Sequence, residues 1–307
     1  MTTGQAHLDP QQSWHAALHR LQQQGEPHVL ITQVTSAGST PREPGARMVV
    51  TATHVYDTLG GGTFEWQAIA IARERLAAGE AGISLEAFSL GGRSGQCCGG
   101  FVNLLIDVFP GAPVTLALFG AGHVGRWIAN LAAPLPWKLL WHDSRVEAFP
   151  AQAAHQPRLE CRHAPRPEDA VAALPAQVHA LVLTHDHGED YQLLKALLAR
   201  GDYASLGLIG SASKWASFRS RLAREGFSAA ALDRVRCPIG VGPNGHKSAD
   251  KTPYAIALAT VAELLFLTDI AAEAADSAAP SGARGVAPQA LRQALSFPND
   301  SPITSAD

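Results

Sequence analysis

Cysteine is scarce in this chain: four of its 307 residues are cysteines, and two of them, Cys97 and Cys98, are adjacent. So few cysteines in a chain of this length exclude a disulfide-rich secreted scaffold and are typical of a reducing compartment. A disulfide between sequence neighbours would be strained, so we expect both thiols to be free. The cysteine content therefore predicts a cytoplasmic protein.

The chain also has little excess of acidic over basic residues. Charged residues make up 17% of the sequence, and the formal net charge at pH 7 is −3. Without a basic excess or a run of lysines and arginines, there is no electrostatic reason to expect a nucleic-acid or membrane partner. The most apolar late stretch, 253–267, is interrupted by Glu263 and is too short to span a bilayer. The N-terminus has no signal-peptide core.

The secondary-structure pattern changes at Pro110-Gly111-Ala112-Pro113, which we interpret as a linker. Residues 1–111 mix helix and strand signals, with a hairpin expected around the cysteines, and this predicts an α+β domain. Residues 112–270 alternate strands and helices of regular length, which predicts a Rossmann-like domain with a doubly wound parallel sheet. Residues 271–307 are rich in Ala, Ser and Pro, and we expect a mostly disordered tail.

Hydrophobic periodicity and turn residues predict the individual elements. Helices are expected at 11–24, from Gly60-Gly61-Gly62 to about 78, to about 131 after the strand at 114–119, and at 253–267. Strands are expected at 28–34, 46–55, 83–90, 101–109, 114–119, 137–142, 159–161, 180–184 and 206–209.

A glycine fingerprint, Gly120-Ala121-Gly122-His123-Val124-Gly125, directly follows one of these strands and opens a helix. In that context it predicts a Rossmann-type fold whose helix N-terminus can bind a pyrophosphate or another anion. Asp143 ends the next strand, where it is placed to bind a ribose hydroxyl, while Arg145 is an alternative phosphate ligand. His123 is either a ligand contact or a polar turn residue. The motif alone does not decide whether a dinucleotide is bound.

A second polar cluster, Thr184-His185-Asp186-His187-Gly188-Glu189-Asp190, follows another strand at the ligand-binding edge of such a sheet. Two interpretations are open. The cluster is either a capped helix start with polar ligand contacts or, less in keeping with its spacing, a metal site. His185 is also a candidate proton donor if the protein is a dehydrogenase.

The cysteine loop, Ser94-Gly95-Gln96-Cys97-Cys98-Gly99-Gly100, precedes an apolar strand. Its glycines allow the backbone to approach a ligand closely. The thiols are either small packed hydrophobes or a soft nucleophile or metal ligand.

Together, the motifs resemble those of the xanthine dehydrogenase accessory (XdhC/CoxI) family, from about residue 12 to 268. The N-terminal motifs are Gly38-Ser39-Thr40-Pro41-Arg42-Glu43-Pro44-Gly45-Ala46-Arg47-Met48, Gly60-Gly61-Gly62-Thr63-Phe64-Glu65 and Gly95-Gln96-Cys97-Cys98-Gly99-Gly100. The C-terminal motifs are the glycine fingerprint, Asp143-Ser144-Arg145, Thr184-His185-Asp186, Gly207-Leu208-Ile209-Gly210-Ser211 and Pro238-Ile239-Gly240. The loop 238–247 is longer than the family's usual turn.

The resemblance implies a maturation factor and not a metabolic enzyme. Such a protein binds the molybdenum cofactor (molybdopterin) as cargo, supports its sulfuration by a cysteine desulfurase, and delivers it to a xanthine dehydrogenase apoenzyme. Proteins of molybdenum cofactor biosynthesis are further expected partners, and a homodimer is one expected arrangement. The role in purine catabolism would follow from the client enzyme.

The resemblance also assigns residues. Cys98 matches the family's usual cysteine and becomes the candidate molybdenum ligand or sulfur carrier, followed by Gly99, whereas Cys97 is a departure without an assigned role. Arg42 and Arg47 are candidates to grip the cofactor's phosphate, or to lower the thiol pKa if they fold nearby. Two other hypotheses stay open: an NAD(P)-dependent oxidoreductase that uses the glycine fingerprint, and a metal-dependent hydrolase at His185 and His187.

Overall fold

The structure of the protein is a computed structural model. It describes residues 7–8, 12–90, 100–241 and 248–276, together with Val286, Gln289 and Leu291. Cys97, Cys98 and Gly99, for which roles were predicted, lie outside the described residues. So does the predicted tail beyond residue 276, except for Val286, Gln289 and Leu291. Contacts divide the chain into two compact units, Met1–Gly111 with Ser281–Asp307, and Ala112–Pro280. Each unit is described by itself below.

The first unit is built on a six-stranded sheet in the order β1-β4-β3-β2-β6-β5. Its strands are antiparallel, except that β1 pairs with β4 in parallel. Its elements are β1 (His7–Leu8), α1 (Trp14–Gln24), β2 (His28–Ala37), β3 (Arg47–Val50), β4 (His54–Tyr56), α2 (Gly62–Ala77), β5 (Gly82–Ser89) and β6 (Phe101–Phe109).

Helices α1 and α2 cover opposite faces of this sheet, because successive residues of a strand point to opposite faces and those of β3 are apolar on both. Met48 and Val50 lie in the core beneath α2, with Phe64 and Ala68. Val49, between them in sequence, packs with Ala17 and Leu21 of α1. The antiparallel pair of β5 and β6 confirms the expected hairpin.

The second unit contains a parallel six-stranded sheet in the order β12-β11-β10-β7-β8-β9. Its strands are β7 (Val114–Phe119), β8 (Trp137–Asp143), β9 (Leu159–His163), β10 (His179–Val182), β11 (Ser205–Leu208) and β12 (Val235–Arg236). The helices are α3 (His123–Ala132), α4 (Pro167–Ala172), α5 (His187–Arg200), α6 (Ala212–Arg224), α7 (Ala229–Asp233) and α8 (Pro253–Asp276), with short 3-10 turns at Val146–Ala148 and Ala151–His155.

This strand order confirms the predicted Rossmann-like fold. The chain starts in the middle of the sheet at β7, winds outward through β8 and β9, and returns to wind outward through β10 to β12. The switch of direction therefore lies between β7 and β10, and ligands of such sheets bind in the crevice at the carboxyl ends of these strands. Two apolar clusters fill the two faces, one including Phe119 and Val182 and the other including Leu118 and Leu181.

Two predicted boundaries are wrong. The strand expected over 46–55 is interrupted at Thr51, whose hydroxyl accepts hydrogen bonds from the backbone of Thr53 (3.4 Å) and His54 (2.9 Å) and turns the chain. The last helix was expected to end at 267 but continues to Asp276, because 271–276 contain good helix formers and no Gly or Pro. Within the described residues, no helix has the length and apolar character needed to span a bilayer.

Candidate functional site

Two of the three fingerprint glycines are required by the protein's own backbone. Gly120 has φ +119°, and a Cβ there would lie 2.2 Å from the carbonyl oxygen of Leu183. A Cβ on Gly125 would lie 2.1 Å from the carbonyl oxygen of Gly120. These glycines therefore allow the turn after β7 and the close packing of α3, whether or not a ligand is present.

Gly122 differs, because nothing in the described part of the chain requires a glycine there. It is the N-cap of α3 with φ −74°, a conformation open to any residue, and no atom of the described residues lies within 4 Å of a Cβ built on it. No side chain caps the helix at this end, whereas Asp186, Ser211 and Ser228 cap α5, α6 and α7. The N-terminus of α3 thus faces open space beside the switch point, as an anion-binding turn does.

Asp143 lies at the end of β8 and its carboxylate is already saturated with donors. Oδ2 accepts hydrogen bonds from the Ala121 N–H (2.6 Å) and Arg145 Nη2 (3.1 Å), and Oδ1 accepts them from Arg145 N (2.9 Å) and Nε (3.0 Å). Burial opposes ionisation, but these hydrogen bonds outweigh it and keep the pKa of Asp143 below its ordinary value. To bind a ribose hydroxyl, as predicted, Asp143 would have to exchange one of its donors.

The polar cluster after β10 forms a capped helix start, as one of the two interpretations expected. Asp186 Oδ1 accepts a hydrogen bond from the Glu189 N–H at 2.9 Å. Among the described residues, no group of three or more His, Cys, Asp or Glu side chains is arranged to hold a metal ion. His185 and His123 are both exposed at this edge of the sheet.

Glu189 is a crevice residue to which sequence reasoning assigned no role. It accepts a hydrogen bond from the Ser144 hydroxyl (3.0 Å), and its Oε2 lies 3.8 Å from Nδ1 of His185. Ser144 follows β8 and Glu189 follows β10, so this contact spans the end of β7. Burial raises the pKa of Glu189, and the nearby Asp143 adds to the shift. The crevice therefore contains a carboxyl group whose pKa lies above its ordinary value.

Asp190 and Lys214 hold the loop after β10 in place through hydrogen bonds. Asp190 is 1% exposed, and its Oδ1 accepts hydrogen bonds from the backbone N–H (2.9 Å) and hydroxyl (2.8 Å) of Thr184. Its Oδ2 lies 2.5 Å from Lys214 Nζ, which also donates to the Ile209 carbonyl at 3.0 Å. The pair thus ties together the loops that follow β10 and β11.

In the first unit, three of the sequence motifs meet at one end of the sheet. A Cβ on Gly100 would lie 2.4 Å from the carbonyl oxygen of Ser39, and a Cβ on Gly60 would lie 2.4 Å from Cβ of Pro41. Gly100 follows Cys98 by two positions, and its carbonyl accepts a hydrogen bond from the Leu90 N–H at 2.8 Å. Both contacts therefore involve the 38–45 turn.

Glu65, in the first turn of α2, organises the triple-glycine loop. Its Oε2 accepts hydrogen bonds from the Thr58 hydroxyl (2.5 Å) and from the N–H groups of Leu59 (2.7 Å) and Gly61 (3.1 Å). A glutamate three residues after a triple glycine is the only sequence signal for this role, and it has no specificity by itself.

The two predicted phosphate-binding arginines lie apart. Arg42 is exposed on the 38–45 turn, and Cγ of its side chain is 3.3 Å from the position of a Cβ on Gly60. The guanidinium of Arg47 instead stacks over the ring of Trp14 on α1, 4.9 Å from its centroid. Arg42 thus lies where the motifs meet, and Arg47 contacts α1.

Comparison with known protein families gives matches in both units. Residues 116–264 match the family described as the XdhC Rossmann domain, and residues 21–88 match the XdhC and CoxI family. A protein of Escherichia coli K12 described as the uncharacterized protein YqeB is 29% identical over 248 residues. The match covers 80% of this chain but only 44% of YqeB, so the chain spans less than half of that relative's length.

Solved structures give weaker likenesses. A Bacillus halodurans protein described as a xanthine dehydrogenase is 16% identical, with 89% of this chain and 98% of that chain covered and a TM-score of 0.42. A UDP-glucose-4-epimerase from Stenotrophomonas maltophila, with bound NAD, is 17% identical, with 52% and 49% covered and a TM-score of 0.26.

Proposed function

Because this chain belongs to the XdhC/CoxI family, we propose that it is an accessory protein for the maturation of a xanthine dehydrogenase-type molybdoenzyme. It binds the molybdenum cofactor, supports its sulfuration and delivers it to the apoenzyme. The observation that carries this proposal is that residues in both units match this one family. The role is that of a cytoplasmic cofactor chaperone and not of a metabolic enzyme.

The crevice of the second unit supports the proposal with a place for the anionic end of the cargo. The open space over Gly122 and the uncapped N-terminus of α3 suit a phosphate group, which the backbone N–H groups would bind. In the first unit, Arg42 is exposed beside Gly60 and supplies a cation for the same class of ligand. The proposed partners are the apoenzyme, a cysteine desulfurase and cofactor-biosynthesis proteins, with a homodimer as the proposed assembly.

The proposal assigns Cys98 as the molybdenum ligand or sulfur carrier, since a thiolate is a soft donor that suits both roles. We expect Cys98→Ser to reduce cofactor binding and apoenzyme activation by at least about tenfold, since even outer-shell changes at metal sites cost that much. The measurement is the molybdenum content of anaerobically purified protein, followed by activation of apoenzyme. Cys97→Ser is the matched control and should retain both properties. Equal loading of the Cys98→Ser variant and the wild-type protein would show that the assignment is wrong.

A second candidate function, an NAD(P)-dependent oxidoreductase, is favoured by the strand order and by the same open glycine. Gly122→Ala tests whether the crevice binds any phosphate-bearing ligand. We expect the unfolding free energy to change by less than about 0.5 kcal/mol, because the conformation of Gly122 suits Ala and none of the described residues contacts the new methyl group. Binding of the cofactor, or of NADH or NADPH in a fluorescence titration, should weaken because the methyl group occupies the approach to the helix N-terminus.

The contrast is Gly125→Ala, whose Cβ would lie 2.1 Å from a backbone oxygen and should lower the unfolding free energy. If the wild-type protein binds neither NADH nor NADPH at about millimolar concentration, the oxidoreductase hypothesis is rejected. If Gly122→Ala binds the molybdenum cofactor as well as the wild-type protein does, the cargo does not use this turn.

A further inference from the structure

The first unit contains a surface cavity of about 700 Å³ that involves none of the motifs discussed above. It lies between the end of α1, the turn that joins β3 and β4, and the second half of α2. Its polar lining includes Arg20, Arg73, His54 and Thr53, and its apolar lining includes Leu21 and Leu76. A cavity with an apolar wall and a few convergent polar groups is the usual form of a small-molecule site.

The two arginines give the lining of this cavity more positive than negative charge. Among the described residues, neither Arg20 nor Arg73 forms an ion pair, in contrast to Arg75, which pairs with Glu86 at 2.5 Å and also donates to the Ser84 hydroxyl. One carboxylate, Glu26, lines the cavity as well, so the arginines leave an excess of positive charge.

The guanidinium of Arg20 is positioned by hydrogen bonds. It donates them to Gln24 (3.0 Å), to Gln12 (3.2 and 3.3 Å) and to the Tyr56 hydroxyl (2.8 Å). All of these acceptors are neutral, so the charge is positioned without being compensated. A charge fixed in advance loses little entropy when it binds an anion.

Arg73 is oriented but keeps its terminal nitrogens available. Its Nε donates to the Thr51 carbonyl at 3.2 Å, and within the described residues neither terminal nitrogen has a hydrogen-bond acceptor. The neighbouring turn is itself ordered, since Thr53 Oγ1 lies 2.8 Å from His54 Nδ1. A guanidinium anchored through Nε presents the fork that binds oxyanions in a bidentate manner.

We propose that this cavity is a binding site for a small phosphate-bearing ligand. The terminal nitrogens of Arg73 bind the phosphate group, the positive charge of Arg20 adds to the attraction, and the wall formed by Leu21 and Leu76 receives the apolar part of the ligand. The site goes beyond the proposed function and does not depend on it, because it uses neither the cysteine loop nor the glycine fingerprint.

The test is equilibrium dialysis of the full chain against radiolabelled inorganic phosphate at low ionic strength. We expect a saturable site with a dissociation constant of about 1 mM. Arg73→Gln should weaken this site at least about tenfold, because it removes a charged hydrogen-bonding fork. Arg73→Gln should not affect phosphate bound at the glycine fingerprint. The number of phosphate ions bound per chain at about 1 mM affinity should therefore fall by one.

The matched control is Arg75→Gln, which removes the same charge from the same helix but outside the cavity, and it should bind as the wild-type protein does. Phenyl phosphate should compete better than inorganic phosphate because of the apolar wall, and benzoate should compete worse than either. Absence of saturable binding, equal losses in the two variants, or better competition by benzoate would overturn the proposal. Circular dichroism of both variants separates loss of the site from loss of the fold.

Discussion

Replacing Lys214 with methionine is expected to lower the unfolding free energy by about 3 kcal/mol. The variant leaves the Asp190 carboxylate, which is 1% exposed, without the ammonium group that lies 2.5 Å away. Lys214 itself is only 11% exposed, so water does not replace it readily. Chemical denaturation followed by tryptophan fluorescence measures the loss.

A second lysine provides the control. Lys195 forms a 2.9 Å ion pair with Glu225 in which its side chain is 48% exposed, and Lys195→Met should cost less than about 1 kcal/mol. Asp190→Asn combined with Lys214→Met completes a double-mutant cycle, in which the double variant should lose less than the sum of the two single losses. Additive losses would show that the pair does not stabilise the fold as a unit.

The stability of the second unit is expected to fall by about 3 kcal/mol as the pH decreases from 6.5 to 4, because of His142. Its ring is 1% exposed and stacks on Phe119, and neither ring nitrogen has a hydrogen-bond partner among the described residues. Burial, aided by the nearby Arg162, lowers the pKa of His142 from 6.5 to about 4.

The sign follows from proton uptake. In the unfolded chain His142 binds a proton below pH 6.5, whereas in the folded protein it stays neutral down to about pH 4. The unfolded state is therefore favoured increasingly as the pH falls from 6.5 to about 4, and the full stability is present only above pH 6.5. Burial also lowers the pKa of His179, which adds to the same trend.

His142→Leu should remove most of this pH dependence without lowering stability at pH 7, because it replaces two unpaired buried polar atoms. The control is the same substitution at His155, which is exposed and should leave the pH dependence intact. Denaturation midpoints measured between pH 4 and 7 provide the comparison. If both variants retain the wild-type slope, His142 is not the origin of the acid sensitivity.

The sequence was most informative for the second unit. The predicted strands at 114–119 and 137–142 match β7 and β8 to within one residue, because parallel strands buried on both faces are continuous apolar runs. The break within 46–55 could not be predicted, since the chain turns on a threonine hydroxyl, with no Gly or Pro as a signal. The end of the last helix was also misplaced.

Among the crevice residues, too, the sequence predicted some features and not others. The fingerprint marked Gly120, Gly122 and Gly125 together, but only their surroundings distinguish the two that the backbone requires from the one that faces open space. The spacing of Asp143 predicted a ribose ligand, whereas the structure shows its carboxylate engaged by Ala121 and Arg145. Its ligand role stays a prediction.

By itself, the sequence determined the fold class of both units, the family, and the edge of the parallel sheet that binds ligands in folds of this class. The fold class and the sheet edge follow from local patterns, namely hydrophobic periodicity and glycines at fixed spacing beside a strand, whereas the family follows from the resemblance of several motifs. Only the tertiary structure decided which polar groups meet, as with Glu189 and Ser144 across the end of β7, and with Arg20 and Arg73 around one cavity. Such contacts join residues far apart in the chain, so their distances depend on how the elements pack, which no local pattern specifies.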